Sequence, residues 1–240
     1  VLFSEQPLGC IQHFENARAM PACSFCLGPL GEGPTEAENG GYTWHFCSDA
    51  CAAEACRVRG HSMLCEAVLR PVSAAALCAL QQAAEAEDDE HLLLAVLLIA
   101  RTLGELLRAP PASRCCSPLL APSGSFQAVQ WEELADGLPE TLRRTALVVA
   151  MAEWLLALFE GPLQELGANS AGSRVEALLT PEGFSRLLGM LELVSVQVKL
   201  HPSSTLLGAT SEDYSGDAST TVEAATAVAI GDSLWRWRET

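Results

Sequence analysis

The sequence predicts a mainly α-helical fold with a small cysteine-rich module near one end, on three observations. Ala- and Leu-rich runs at helical spacing fill the stretch beyond Pro71. Six of the ten cysteines crowd between Cys23 and Cys65, and residues 194–200 alternate apolar and polar side chains with a period of two. With 240 residues, 49% of them hydrophobic, the chain has material for one sizeable core, or for a small module docked on a larger one.

Each element follows from local chemistry. The opening Val1-Leu2-Phe3-Ser4-Glu5, entering the turn-forming Gln6-Pro7-Leu8-Gly9, reads as the tail of a strand, and a start without Met or a basic leader reads as a piece of something longer. Between Cys23 and Cys65 the glycines and cysteines leave little hydrophobic periodicity, so a metal is expected to stand in for a core there. Helices are expected at 73–87 and 90–108, the second with acidic residues leading and Arg101 and Arg108 towards its end, as the helix dipole prefers. Pro110-Pro111 stops it, and a Pro/Ser/Gly-rich connection with the vicinal pair Cys115-Cys116 follows.

A third helix is expected over 140–160 with Leu142, Thr145, Val149, Ala152, Leu156 and Phe159 on its apolar face, and with Met151 and Trp154 as core residues. Thr180-Pro181-Glu182 supplies an N-cap hydroxyl, a proline for the first turn and a carboxylate at the dipole's positive end, opening a helix to about Met190. Val194, Val196, Val198 and Leu200 then mark one half-buried strand, whose partners are expected to be the Val1 segment and strands outside this chain. The last forty residues show no firm pattern before residues 224–230. The expected organisation is therefore 1–22, a strand end; 23–65, the cysteine module; 66–192, a helical body; and 193–240, a return strand with its tail.

A formal charge of −16, with only fourteen Lys and Arg, argues against a nucleic-acid surface, because duplex affinity comes mainly from cations replacing counterions. Acidity suits a basic peptide or simply solvates the surface. The longest apolar runs, 92–100 and 145–159, fall short of the roughly 20 residues of a bilayer span, and no membrane partner is expected. The close Cys-x-x-Cys spacing without a secretory signal favours metal thiolates over disulfides and an intracellular, cytoplasmic or nuclear, setting.

Structural zinc takes four Cys or His ligands tetrahedrally, delivered in close pairs. Cys23-Ser-Phe-Cys26 is one pair, and Cys47-Ser-Asp-Ala-Cys51 is another, placed where a starting helix favours the thiolate form. His61-Ser-Met-Leu-Cys65 is a third pair that needs two further ligands, for which His45 and Cys56 are the substitutes at hand. Otherwise His61 and Cys65 are a half-site that packs against the helix carrying Cys51. Phe25, Trp44 and Phe46 either shield the metal or line a groove for a peptide.

These residues carry a resemblance. Cys23 to Cys65 looks like a MYND zinc finger, and its setting after a strand and before helices resembles the SET and MYND domain family of protein lysine methyltransferases. Thr180-Pro181-Glu182-Gly183-Phe184 with Leu187-Leu188 resembles part of the helical insert of a divergent branch. The resemblance implies a helical insert plus one or two strands of a split SET sheet, and a finger with two zinc sites. The first site is complete in Cys23, Cys26, Cys47 and Cys51. The second keeps His61 and Cys65, because Asn39-Gly40-Gly41-Tyr42 stands where its other pair belongs.

The family binds S-adenosylmethionine, implied here for the parent protein alone. Its Asn-His-Ser-Cys segment, Gly-x-Gly turn and active-site tyrosine have no counterpart in this chain, which is not expected to transfer methyl groups by itself. MYND fingers also dock proline-containing peptides, so a protein-interaction adaptor is the alternative reading. Zinc is expected to supply most of the finger's folding free energy, on the order of 10 kcal/mol, so that chelation unfolds 23–65 and spares the helices.

Overall fold

The computed structural model of the chain describes residues 7–12, 14, 21–30, 33–39, 42–65, 70–110, 129–167, 170–194, 196–200 and 225–231. The expected strand tail over 1–5, the connection bearing Cys115-Cys116 and the closing Leu234-Trp235-Arg236-Trp237 lie outside these residues, while Pro7-Leu8-Gly9, expected in a turn, belong to a strand. The described part is mainly helical. Its helices are α1 (Asp49–Val58), α2 (Pro71–Glu87), α3 (Glu90–Arg108), α4 (Leu138–Leu166), α5 (Ser170–Leu178) and α6 (Pro181–Val194), with 3-10 turns at His61–Met63 and Trp131–Leu134. The strands are β1 (Pro7–Gln12), β2 (Thr35–Asn39), β3 (Tyr42–Phe46), β4 (Val196–Leu200) and β5 (Ala225–Gly231).

At the centre lies α3, on which every side chain from 92 to 100 is buried. A helix apolar on all sides needs cover on all sides. The cover comes from α2, α4 and α6, from β1 and from the His61–Met63 turn. Asp89 caps α3 by accepting the His91 N–H, Glu90 opens it, and Arg108 closes it as the dipole requires. The buried Glu90 accepts the Phe14 N–H at 2.9 Å, fixing the segment after β1 to the start of α3.

The expected helices form, and α4 and α6 run beyond their expected ends. Pro162 does not stop α4, which continues to Leu166, buried at the helix end. A proline removes one backbone bond and crowds the preceding turn, and here burial of Phe159 and Leu166 offsets that cost. The predicted apolar face of α4 is a correction. Leu142, Val149 and Leu156 are exposed, and the core takes Val148, Met151, Ala152, Leu155, Leu158 and Phe159. Apolar residues encircle this helix, so periodicity cannot choose its buried face. By length and composition α4 also suffices for a membrane span, although 33% of its most apolar window is buried against the other helices. That departs from the sequence expectation that neither apolar run is long enough.

The helix α5, which residue spacing alone did not announce, buries Ala171 and Val175 one turn apart, and Leu179 just past its end is buried as well. Thr180 caps α6 as expected, its Oγ accepting the Gly183 N–H at 3.1 Å. The strand expected near 194–200 is β4, but its neighbour is β5, from the chain's own tail. The sheet order is β1-β5-β4, antiparallel throughout, with Ile11 opposite Val228 and Val198 opposite Ala227. The Val1 segment expected to pair with β4 lies outside the described residues; among those described, β5 stands between β4 and β1.

Candidate metal centre

The cysteine module is built on a hairpin that was not expected. Strands β2 and β3 pair antiparallel from Thr35 opposite Phe46 to Asn39 opposite Tyr42. The two residues between Asn39 and Tyr42 are Gly40-Gly41, a two-residue hairpin signature, and Trp44 and Phe46 alternate with Thr43 and His45, so the signal was present in the sequence. One face of β3 sends Trp44 and Phe46 into the core, at 5% and 1% exposure. Hence they shield the site's interior rather than line a groove. Phe25 is partly buried under the Arg59 guanidinium, 5.1 Å above its ring.

The first cysteine pair sits on a tight turn. Cys23 N–H donates to the Gly28 carbonyl, Leu27 N–H to the Cys23 carbonyl, and Ser24 N–H to the His45 carbonyl, which ties the turn to β3. Gly28 N–H reaches back to Cys26 Sγ at 3.4 Å. A β-carbon on Gly28 would lie 3.2 Å from that sulfur, so the small residue lets the backbone approach it. The second pair sits where β3 ends and α1 begins. Ser48 caps α1, its Oγ accepting the Cys51 N–H, and Thr35 donates to Asp49 at 2.7 Å, tying hairpin to helix.

These turns bring four sulfurs together. Sγ atoms of Cys23, Cys26, Cys47 and Cys51 all lie within 4.8 Å of one another, with Cys26 to Cys47 at 3.7 Å and Cys47 to Cys51 at 3.4 Å. Tetrahedral zinc with Zn–S of about 2.3 Å sets its sulfurs about 3.8 Å apart, so the donor set and its spacing fit a divalent ion. The thiols are free. The chain therefore contains a cysteine cluster able to hold a metal ion, as a zinc-binding module requires.

Electrostatics within the cluster are uneven. Burial works against ionising Cys23, but the N–H groups of Cys26, Cys47 and Phe25 outweigh it and lower the thiol to about 7. Cys26 is pushed up to about 12, by burial first and then by the Cys23 and Cys47 thiols, against the Gly28 N–H. Cys51 is also raised, by burial and the Cys47 thiol, against a downward pull from the Ser48 hydroxyl that caps the helix start. One thiol ionises near neutrality, and its charge adds to what disfavours ionising Cys26 and Cys51. A divalent ion removes that conflict by neutralising several thiolates at once.

His61 and Cys65 do not join the cluster. Among the described residues, the four cysteines are the one group of three or more potential ligands close enough to share an ion. His61 is 4% exposed, edge-on to Trp44 with ring centroids 4.7 Å apart, and 5.7 Å from Phe46. Cys65 is half-buried, and its nearness helps burial to raise the Cys56 thiol. His45, the other substitute, has Nδ1 3.4 Å from a Glu36 carboxylate oxygen.

The module also has a core of its own, which the sequence reading denied it. Cys23, Trp44, Phe46, Ala55 and Leu64 are buried in one cluster that runs on into α2, α3 and α4. No protein-family model, curated protein or solved structure matches the chain.

Proposed function

We propose that this chain is the metal-stabilised finger and helical insert of a SET-type, S-adenosylmethionine-dependent protein lysine methyltransferase, with the methyl-transfer residues elsewhere in the parent. The observation that carries it is the convergence of Cys23, Cys26, Cys47 and Cys51 within 4.8 Å, the first of the two sites that the MYND resemblance implies. The order of elements supports it too: strand, finger, helices, return strand. Zinc held there supplies charge neutralisation and a cross-link between the Cys23–Cys26 turn and the start of α1. The chain's own residues orient the ligands through the Ser24–His45 and Ser48–Cys51 hydrogen bonds.

The partner in this reading is a protein or peptide segment, basic in character to match a charge of −16, within an intracellular setting. Nucleic acid is not a partner. The burial of Trp44 and Phe46 removes two aromatics from the peptide groove that an adaptor reading needs, so the methyltransferase setting is preferred.

Elemental analysis of the purified chain tests the metal. Zinc should be bound, and Cys47→Ser should lose it, while Cys78→Ser, remote on α2, keeps it. A metal-free parent chain with bridged thiols would remove the reading. Transfer of a labelled methyl group from S-adenosylmethionine should be undetectable with this chain and appear with the parent protein on a basic peptide substrate.

A further inference from the structure

The finger that this sequence resembles has a second metal site, and the residues present here do not fit one. His61 and Cys65 are the two donors that remain, and the hairpin that should bring the others carries Glu36, Asn39 and Tyr42 instead. His45 turns towards Glu36. No second group of three potential ligands gathers among the described residues.

His61 is placed as a packing residue. Its ring meets Trp44 and Phe46 edge-on, at interplanar angles of 77° and 71°, an arrangement favoured between aromatic rings. Neither of its ring nitrogens makes a hydrogen bond, although the side chain is buried. A metal-ligating imidazole normally has its other nitrogen firmly held by a carboxylate or carbonyl, and at His61 the Ala55 backbone is near without closing a well-formed hydrogen bond. Burial and the Arg59 charge also disfavour its protonated form, against a weaker upward pull from the Ala55 backbone. The turn that carries it is pressed onto α3: Gly60 abuts the backbone of Ala100 and Arg101, and Met63 Cγ lies 3.6 Å from where a β-carbon on Gly104 would be.

We infer that an aromatic cluster of Trp44, Phe46 and His61, clamped on α3, takes the structural place of the second metal, so that the chain holds a single ion. The single ion rests on the four-thiolate reading above; the packing role of His61 does not. An imidazole that only fills space is replaceable by a ring of like size without nitrogens.

The test uses the full 240-residue chain, loaded with zinc and freed of excess. The expected result is one zinc per chain, unchanged in His61→Phe and in Cys65→Ser. His61→Phe should melt at or above the parent temperature, and His61→Ala several degrees below it. Two ions per chain, falling to one in His61→Phe, would overturn the inference and leave the four-thiolate reading intact. No bound zinc would overturn that reading, and the melting order of the His61 variants would still judge the aromatic cluster. A His61→Phe chain that melts below His61→Ala overturns it too.

Discussion

Gly60 and Arg101 touch backbone to backbone: a β-carbon on Gly60 would lie 2.3 Å from the Arg101 nitrogen, and Gly60 itself sits at φ +78°. The finger and the central helix are thus joined at a point where only glycine fits both sterically and conformationally. Gly60→Ala should destabilise the chain by at least ~2 kcal/mol, from backbone strain and overpacking together. Urea unfolding followed by circular dichroism reads it. A loss below ~0.5 kcal/mol would mean that the turn is not pressed on α3.

Metal removal should loosen the finger only in part. The buried cluster of Trp44, Phe46 and Leu64 runs into α3, so the ion is not the finger's sole source of stability. On chelation, amide exchange should rise over 23–28 and 47–51, where the ion's ligands stand, while the amides of Met63 and Leu64 stay protected in their turn. Complete loss of protection from 23 to 65 would restore the simpler picture of a finger folded by zinc alone.

Acid should weaken the fold through His61. Its folded-state pKa, lowered by burial and Arg59 from 6.5 to about 4, means that the unfolded chain binds the proton more readily. Stability is then full above about pH 6.5 and falls as pH drops towards 4, by a total on the order of 3 kcal/mol. Thiolate protonation releases metal in the same range, so the measurement is a difference. The parent should lose more stability than His61→Phe between pH 6.5 and 4.5, and equal losses would sink the assignment.

Neighbouring leucines on α4 should respond unequally. Leu155 is fully buried and Leu156 is 45% exposed. Leu155→Ala should cost about 2–5 kcal/mol and Leu156→Ala less than ~1 kcal/mol. Chemical denaturation of the two variants decides it, and similar costs would mean that α4 buries a different face.

Much of this protein is written in its residues. The close pairs Cys23–Cys26 and Cys47–Cys51 specify a tetrathiolate group by spacing alone, since each pair lies within a few residues on a turn or helix start. The spans of α2 and α3 and the opening of α6 follow from proline, caps and charge placement, which act within a turn of where they stand. Even the hairpin was announced by Gly40-Gly41 between alternating residues.

Tertiary structure decided the rest. Which face of α4 is buried depends on what α2 and α6 present to it, because apolar residues stand on every side of its middle turns and carry no local preference there. That β5 inserts between β1 and β4 depends on pairing between segments more than twenty residues apart, whose partners no local pattern names. Whether His61 binds an ion or fills a core depends on the distance to other donors. That distance is fixed by how the hairpin, α1 and α3 pack together, because ligation needs several atoms to converge while burial needs only apolar neighbours.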